Sequence, residues 1–318
     1  MTTETAIQCD CPHCGRVCGF KADFAGRTAR CLNCDTRFVI PQRTGLPAVP
    51  CPVAAAEPLP GFYANAFKGG LEAFTRPDSA VGLVFCAALV TAHFLLGNVD
   101  LSVTLPGFRL LMIVGWGVTF IAFGGFSWYS MEIISAAQLG LNSLPPVEPG
   151  AGLEFLWLAV KSCYLFFVSL VVALLPASII SAVVESLGGE LGQFYYVIAA
   201  VCLLLWPMSL AMIATELPIW RIFRYDLIVA AVAKTFVPYL LTALITLTAF
   251  ALIGLGIGSY ATREGMTLAA GLGWLALRLA GAMLFLYAMR TIGVYGLHYA
   301  DVYPRLWATS SSHHPTAR

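Results

Sequence analysis

Residues 155–184 read FLWLAVKSCYLFFVSLVVALLPASIISAVV, with Lys161 the one charged side chain among them. A helix needs about 20 mainly apolar residues to cross the roughly 30 Å hydrocarbon core of a bilayer, and this run exceeds that length. Comparable runs lie at 79–99, 108–134, 194–215, 227–258 and 267–299, the last interrupted by Arg278 and Arg290. The pattern predicts an all-α polytopic membrane helix bundle of about six transmembrane helices over 79–303. Pro176, Pro207 and Pro238 fall inside three of the runs. They should kink those helices or mark carbonyls that neighbouring elements satisfy.

Composition supports the same class. Of the 318 residues, 59% are hydrophobic and only 11% charged, and the mean hydropathy is +0.80. A soluble domain carries about 25% charged residues, and 11% is too few to cover a surface of this size in water. The net charge of +1 gives no general attraction to nucleic acid, so no specific nucleic-acid partner is expected. The lipid bilayer is the partner that the composition demands.

The first segment differs. Cys9, Cys11, Cys14, Cys18, Cys31 and Cys34 fall in a stretch too short for a hydrophobic core of its own. Residues 1–10 are polar and lead into cysteines rather than an apolar stretch, so no secretory signal is read there. The N-terminus is expected in the reducing cytosol, where cysteines bind metal more readily than they pair. Cys11-Pro-His-Cys14 and Cys31-Leu-Asn-Cys34 give the spacing C-x2-C-x16-C-x2-C, a strong zinc signal. Two such knuckles complete a tetrahedral thiolate shell with bonds of about 2.3 Å, so the expected cofactor is one structural Zn2+ on Cys11, Cys14, Cys31 and Cys34. A closed four-cysteine shell leaves no open position for hydrolysis. The same ligand set suits a rubredoxin-like iron. Cys9 and Cys18 read as ordinary reduced thiols, the alternatives being a substitute ligand or a redox-sensitive neighbour.

Cys11-Pro12-His13-Cys14-Gly15, Gly26-Arg27, Cys31 to Cys34 and Phe38-Val39-Ile40-Pro41 together resemble the short CPxCG zinc ribbons at the N-termini of many bacterial membrane and multidomain proteins. The match covers about a tenth of the chain. It departs from the pattern at Asp35, where glycine would complete the second knuckle. The resemblance implies a small β zinc ribbon at 1–40, with a hairpin around Gly26, a closing strand at 37–40, and no activity of its own. The membrane region is similar only in layout to multispanning bacterial domains of unknown function that follow such ribbons.

Between ribbon and bundle, 41–60 is proline-rich and reads as an extended spacer. At 61–78, Tyr63, Phe67, Leu71 and Phe74 recur at helical spacing beside Lys68 and Arg76, the pattern of an amphipathic interfacial helix. Residues 304–318 read as a disordered tail. With the N-terminus inside, Lys68, Arg76, Arg221, Arg224, Arg305 and Arg318 all fall on the cytosolic side, as the positive-inside rule requires. The expectation is a multi-pass protein of the bacterial inner membrane with both termini cytosolic.

Glu132, Lys161, Glu216, Lys234 and Arg290 cluster toward the cytosolic half of the expected spans. Long basic side chains near helix ends snorkel to the interface, which is the favoured reading. The alternative is a paired polar network lining a cavity, as transport proteins have. One of Arg278 and Arg290 is expected near mid-bilayer and needs a partner, and the stretch from Arg290 to His298 is where a polar contact is expected. Metalloprotease, serine-hydrolase and P-loop motifs are missing, so the chain is read as no enzyme. The expected function is a non-enzymatic membrane protein whose ribbon docks a cytosolic protein partner or senses metal or redox state. The alternative is a small transporter or channel with the ribbon as accessory.

Overall fold

The computed structural model describes residues 6–11, 17–21, 24–31, 37–41, 49–50, 58–97, 103–105, 108–110, 114–148, 152–215, 219–258, 267–302 and 307. The chain divides into two units: Leu59–Ala300, and Met1–Pro58 with Asp301–Arg318.

In the N-terminal unit, β1 (Ala6–Asp10) pairs antiparallel with β2 (Val17–Lys21), setting Cys9 opposite Cys18. A second sheet has the order β3-β4-β5, with β3 Thr28–Arg30, β4 Arg37–Val39 and β5 Val49–Pro50. Gly26, at φ 76°, makes the turn that carries the chain into β3. A side chain resists that left-handed region, and glycine does not. The Gly26 N–H donates to the Ile40 carbonyl at 2.9 Å, and the Ile40 N–H to the Arg27 carbonyl at 2.9 Å. The strand expected at 37–40 is therefore β4. Residues 41–60 are not wholly a spacer, because β5 within them pairs with β4.

The larger unit begins with α1 (Phe62–Thr75) and continues with α2 (Ala80–Leu96), α3 (Val114–Gln138), α4 (Leu153–Ser186), α5 (Phe194–Leu203), α6 (Trp206–Ala214), α7 (Tyr225–Lys234), α8 (Phe236–Gly258) and α9 (Leu268–Tyr299). Five segments are long and apolar enough to cross a membrane: Pro77–Leu96, Leu153–Ser186, Phe194–Ala214, Phe236–Gly256 and Leu268–Tyr299. These mark a multi-pass membrane protein, with five such helices among the described residues where about six were expected. The missing one is the expected span 108–134. Its first residues are strand β7 (Phe108–Leu110), paired with β6 (Val103–Leu105), and the described helix is Val114–Gln138.

The shortfall in α3 has a physical cause. The helix is long enough, about 38 Å at 1.5 Å per residue, but only its first half, with Trp116, Phe120, Ile121 and Phe123, exposes large apolar side chains, and its second half packs within the bundle. Gly124, Gly125, Ser127, Trp128, Tyr129 and Ser130 are all buried. Small residues at such positions let helix backbones approach closely, and they lower the hydropathy of the run. A Cβ on Gly124 would lie 2.8 Å from the Ala159 carbonyl oxygen of α4, and one on Gly82 of α2 would overlap the Tyr129 ring.

Contacts along the helices give their directions. Phe126 of α3 meets Phe285 of α9, with ring centroids 5.6 Å apart, and further along Gly296 of α9 lies against Gln138 of α3, so α3 and α9 run parallel. His93 near the end of α2 meets Phe123 and Gly82 near its start meets Tyr129, so α2 and α3 run antiparallel. Gly256 lies against Arg278 and Tyr239 against Tyr295, so α8 and α9 are antiparallel too. The outer helices present large apolar side chains outward, Val84, Phe167, Val201 and Leu244 among them. Such a surface suits lipid.

The prolines act as the sequence suggests, by two routes. Pro176 stays inside α4, and the Val172 carbonyl, which a proline nitrogen has no hydrogen to bond, accepts the Tyr225 hydroxyl at 2.5 Å. Pro207 instead ends one helix and begins the next, because it stands in the first turn of α6. There the Tyr239 hydroxyl donates to the Leu204 carbonyl at 2.7 Å. The expected run 227–258 is likewise divided, at Thr235 just before Pro238. The Thr235 Oγ1 bonds the Ala231 carbonyl and the Tyr295 hydroxyl.

Candidate functional site

Ile7, Cys9, Cys11, Cys31, Phe38 and Ile40 form the buried cluster of the N-terminal unit, with Phe20 packed edge-on against Phe38 at 5.9 Å. Cys11 is 2% exposed and Cys31 1%. Each begins a C-x2-C pair, and each stands where a strand leaves its sheet: Cys11 after β1, Cys31 after β3. The second cysteine of each pair, Cys14 and Cys34, lies outside the described residues. Among the described residues no group of three or more His, Cys, Asp or Glu side chains is placed to hold a metal. Cys9 is buried against this cluster, and burial, with the Asp10 charge adding to it, raises its thiol pKa. A thiol so placed is less readily deprotonated than an exposed one.

The membrane-region charges differ in burial. Glu132, Lys161 and Lys234 are exposed on the outer surface of the bundle, Glu216 lies outside the described residues, and Arg290 is buried at 2% exposure. Arg290 points to α1. Its Nη1 donates to the Asn65 backbone carbonyl at 3.1 Å and its Nη2 lies 3.5 Å from Asn65 Oδ1. Asn65 Nδ2 is 3.4 Å from His298 Nε2, and His298 Nδ1 is 2.8 Å from the Leu59 carbonyl. A carbonyl only accepts, so His298 carries its proton on Nδ1 and leaves Nε2 to accept from the Asn65 amide. The Leu59 N–H closes the set on the His298 carbonyl at 3.1 Å. The contact expected between Arg290 and His298 is thus bridged by Asn65.

This clasp also explains which face of α1 is buried. Phe62, Ala66, Gly70 and Ala73 face inward, and Tyr63, Phe67 and Leu71 are exposed. Gly70 admits the Tyr287 ring, whose hydroxyl donates to the Ala66 carbonyl at 2.9 Å. Phe62 packs edge-on against Tyr295, His298 and Tyr299. The apolar stripe that suggested an interfacial helix is the outward face, and α1 belongs to the bundle by its opposite one. Asn65 escaped notice in the sequence because it stands among small residues on the less apolar face.

Arg290→Met is expected to loosen α1 by about 1.5–3 kcal/mol, the range for hydrogen bonds to charged groups. Amide hydrogen exchange across 62–75 should speed up by roughly ten-fold per 1.4 kcal/mol lost, with Lys68→Met unchanged because Lys68 is exposed. Equal protection in the two variants would show that the clasp does not hold the helix.

In the gap before α7, Trp220 is exposed with the Arg221 guanidinium 5.8 Å from its ring. Burial, then the neighbouring Arg224, lowers the Arg221 pKa. Arg224 forms a two-pronged exposed ion pair with Asp226 at 2.8 and 2.9 Å. That hydrogen-bonded pair holds the Asp226 carboxyl below its usual range. Tyr225 turns inward to the Val172 carbonyl that Pro176 leaves open.

No family model, curated protein or solved structure matches this chain. What it does therefore rests on its own residues.

Proposed function

We propose that this chain is a non-enzymatic protein of the bacterial inner membrane whose cytosolic zinc ribbon docks a protein partner or responds to metal or redox state. The observation that carries the reading is the burial of Cys11 and Cys31 in one small cluster, each at the head of a C-x2-C loop leaving an antiparallel strand. That arrangement suits two knuckles sharing one Zn2+ through Cys11, Cys14, Cys31 and Cys34. Zinc-bound ribbons gain their folding energy from the metal, which offsets the small size of this core.

Six crossings with both termini cytosolic follow from α3 serving as the sixth. It runs antiparallel to α2 where His93 meets Phe123 and Gly82 meets Tyr129, and its 25 residues extend about 38 Å, more than the roughly 30 Å hydrocarbon core. Lys68, Arg76, Arg221 and Arg224 then share one side, as the positive-inside rule asks.

The test is the zinc content of purified full-length protein beside a Cys31→Ser/Cys34→Ser variant. One zinc per chain, lost in the variant while membrane insertion persists, is the expected result. A wild type with reduced thiols and no metal would end the ribbon reading.

A further inference from the structure

A cavity of about 60 Å³ lies between four helices of the bundle, lined by Leu89, Val90 and His93 of α2, Ala122, Phe123 and Phe126 of α3, Ile253 of α8, and Arg278 and Ala282 of α9. Its lining has two basic side chains and, among the described residues, no acidic one. Arg278 is 4% exposed and built in place. Its Nε donates to the Gly256 carbonyl at 2.8 Å, and its guanidinium stands 5.0 Å from the centre of the Phe94 ring. Gly256 makes room for the arginine, since a Cβ there would lie 2.7 Å from Arg278 Cγ. An ionisable residue kept inside a spanning helix is costly and marks a site by default.

We propose that this cavity binds the carboxylate head of a single-chain amphiphile of the fatty-acid class. At roughly 10–15 Å³ of cavity space per water, the volume has room for several waters, enough to seat a carboxylate head. A planar guanidinium holds a carboxylate through two parallel N–H donors, and His93 stands on the same cavity to add a third. Phe123, at 40% exposure, opens the cavity onto the outer apolar face of the bundle. A ligand arrives there from the bilayer, and its tail remains along that face. A small water-borne anion lacks that route.

The experiment titrates isotope-labelled oleate against full-length protein in phosphatidylcholine nanodiscs. One saturable site per chain is expected, with affinity at least ten-fold weaker in Arg278→Gln. Ala282→Phe, which fills the cavity without removing charge, should abolish the site even if Arg278→Gln fails to fold. Lys161→Gln, on the outer surface, should bind as wild type does. Oleyl alcohol and acetate should each fail to compete, the first lacking the charge and the second the tail. Wild type without a saturable site, folded Ala282→Phe binding as wild type, or acetate or oleyl alcohol competing as well as oleate would each overturn the proposal.

Discussion

Gly293→Leu is expected to unfold the bundle well below the temperature that the wild type withstands. A Cβ on Gly293 would stand 2.5 Å from both the Ile134 carbonyl oxygen and the Ala137 Cβ of α3. The first of these is backbone, which cannot rotate away, so α9 would have to retreat from α3. Overpacking a tight interior costs about 1–3 kcal/mol and sometimes more. The upper end applies here because the displaced group is main chain and three further side-chain carbons follow the Cβ. Gly293 also lies in the most thoroughly buried part of α9, between Arg290 and Gly296. A retreat there would disturb the α1 clasp as well. The control is Gly273→Leu on the same helix, where a Cβ meets nothing within 4 Å. Thermal unfolding of the two variants in detergent should differ by many degrees, and coincident transitions would show that the α3–α9 approach is not what limits stability.

Trp206→Ala should come next in effect. Trp206 is fully buried at the start of α6, with Phe166 and Phe250 edge-on at 5.3 and 5.1 Å. Its Nε1 donates to Ser169 Oγ at 3.0 Å. Removing a buried Phe or Trp side chain costs about 3–5 kcal/mol in water-soluble cores. Part of that figure is transfer from water, which largely vanishes when the surroundings are as apolar as lipid tails. The expected loss is therefore near the low end, about 3 kcal/mol, and consists of lost packing and one hydrogen bond. Trp206→Phe keeps most of the ring contact and loses only the bond to Ser169, so it should cost about 1 kcal/mol. Reversible unfolding in mixed micelles reads both, and equal losses in the two variants would mean that the hydrogen bond, rather than the ring, dominates.

Much of the bundle was legible in the residues because a bilayer imposes one strong local demand. A spanning helix must satisfy its own backbone and show apolar side chains to lipid, so the runs around 79–99, 155–184, 194–215 and 267–299 announce themselves. Proline positions were legible for the same local reason, since a missing N–H breaks or bends a helix wherever it stands. The run 108–134 differs from expectation at its start, where Phe108–Leu110 is a strand. From Gly124 onward its residues answer to protein neighbours, and their small side chains lower the hydropathy of the run. Of the five charged residues grouped from the sequence, Glu132, Lys161 and Lys234 are exposed and Arg290 is buried, because nearness to one end of a span says nothing about which face a side chain occupies.

By itself, the sequence determined the membrane class, most of the helices, the breaks near Pro207 and Pro238, and the Gly26 turn into β3, all properties of neighbouring residues and their solvent. Only the tertiary structure decided that the second half of α3 lies inside the bundle, that Asn65 is what Arg290 meets from far along the chain, and that His93 and Arg278 share one cavity. Those depend on which faces of distant helices meet. The small residues at Gly82, Gly124, Gly256 and Gly293 govern that choice by how closely they let backbones approach.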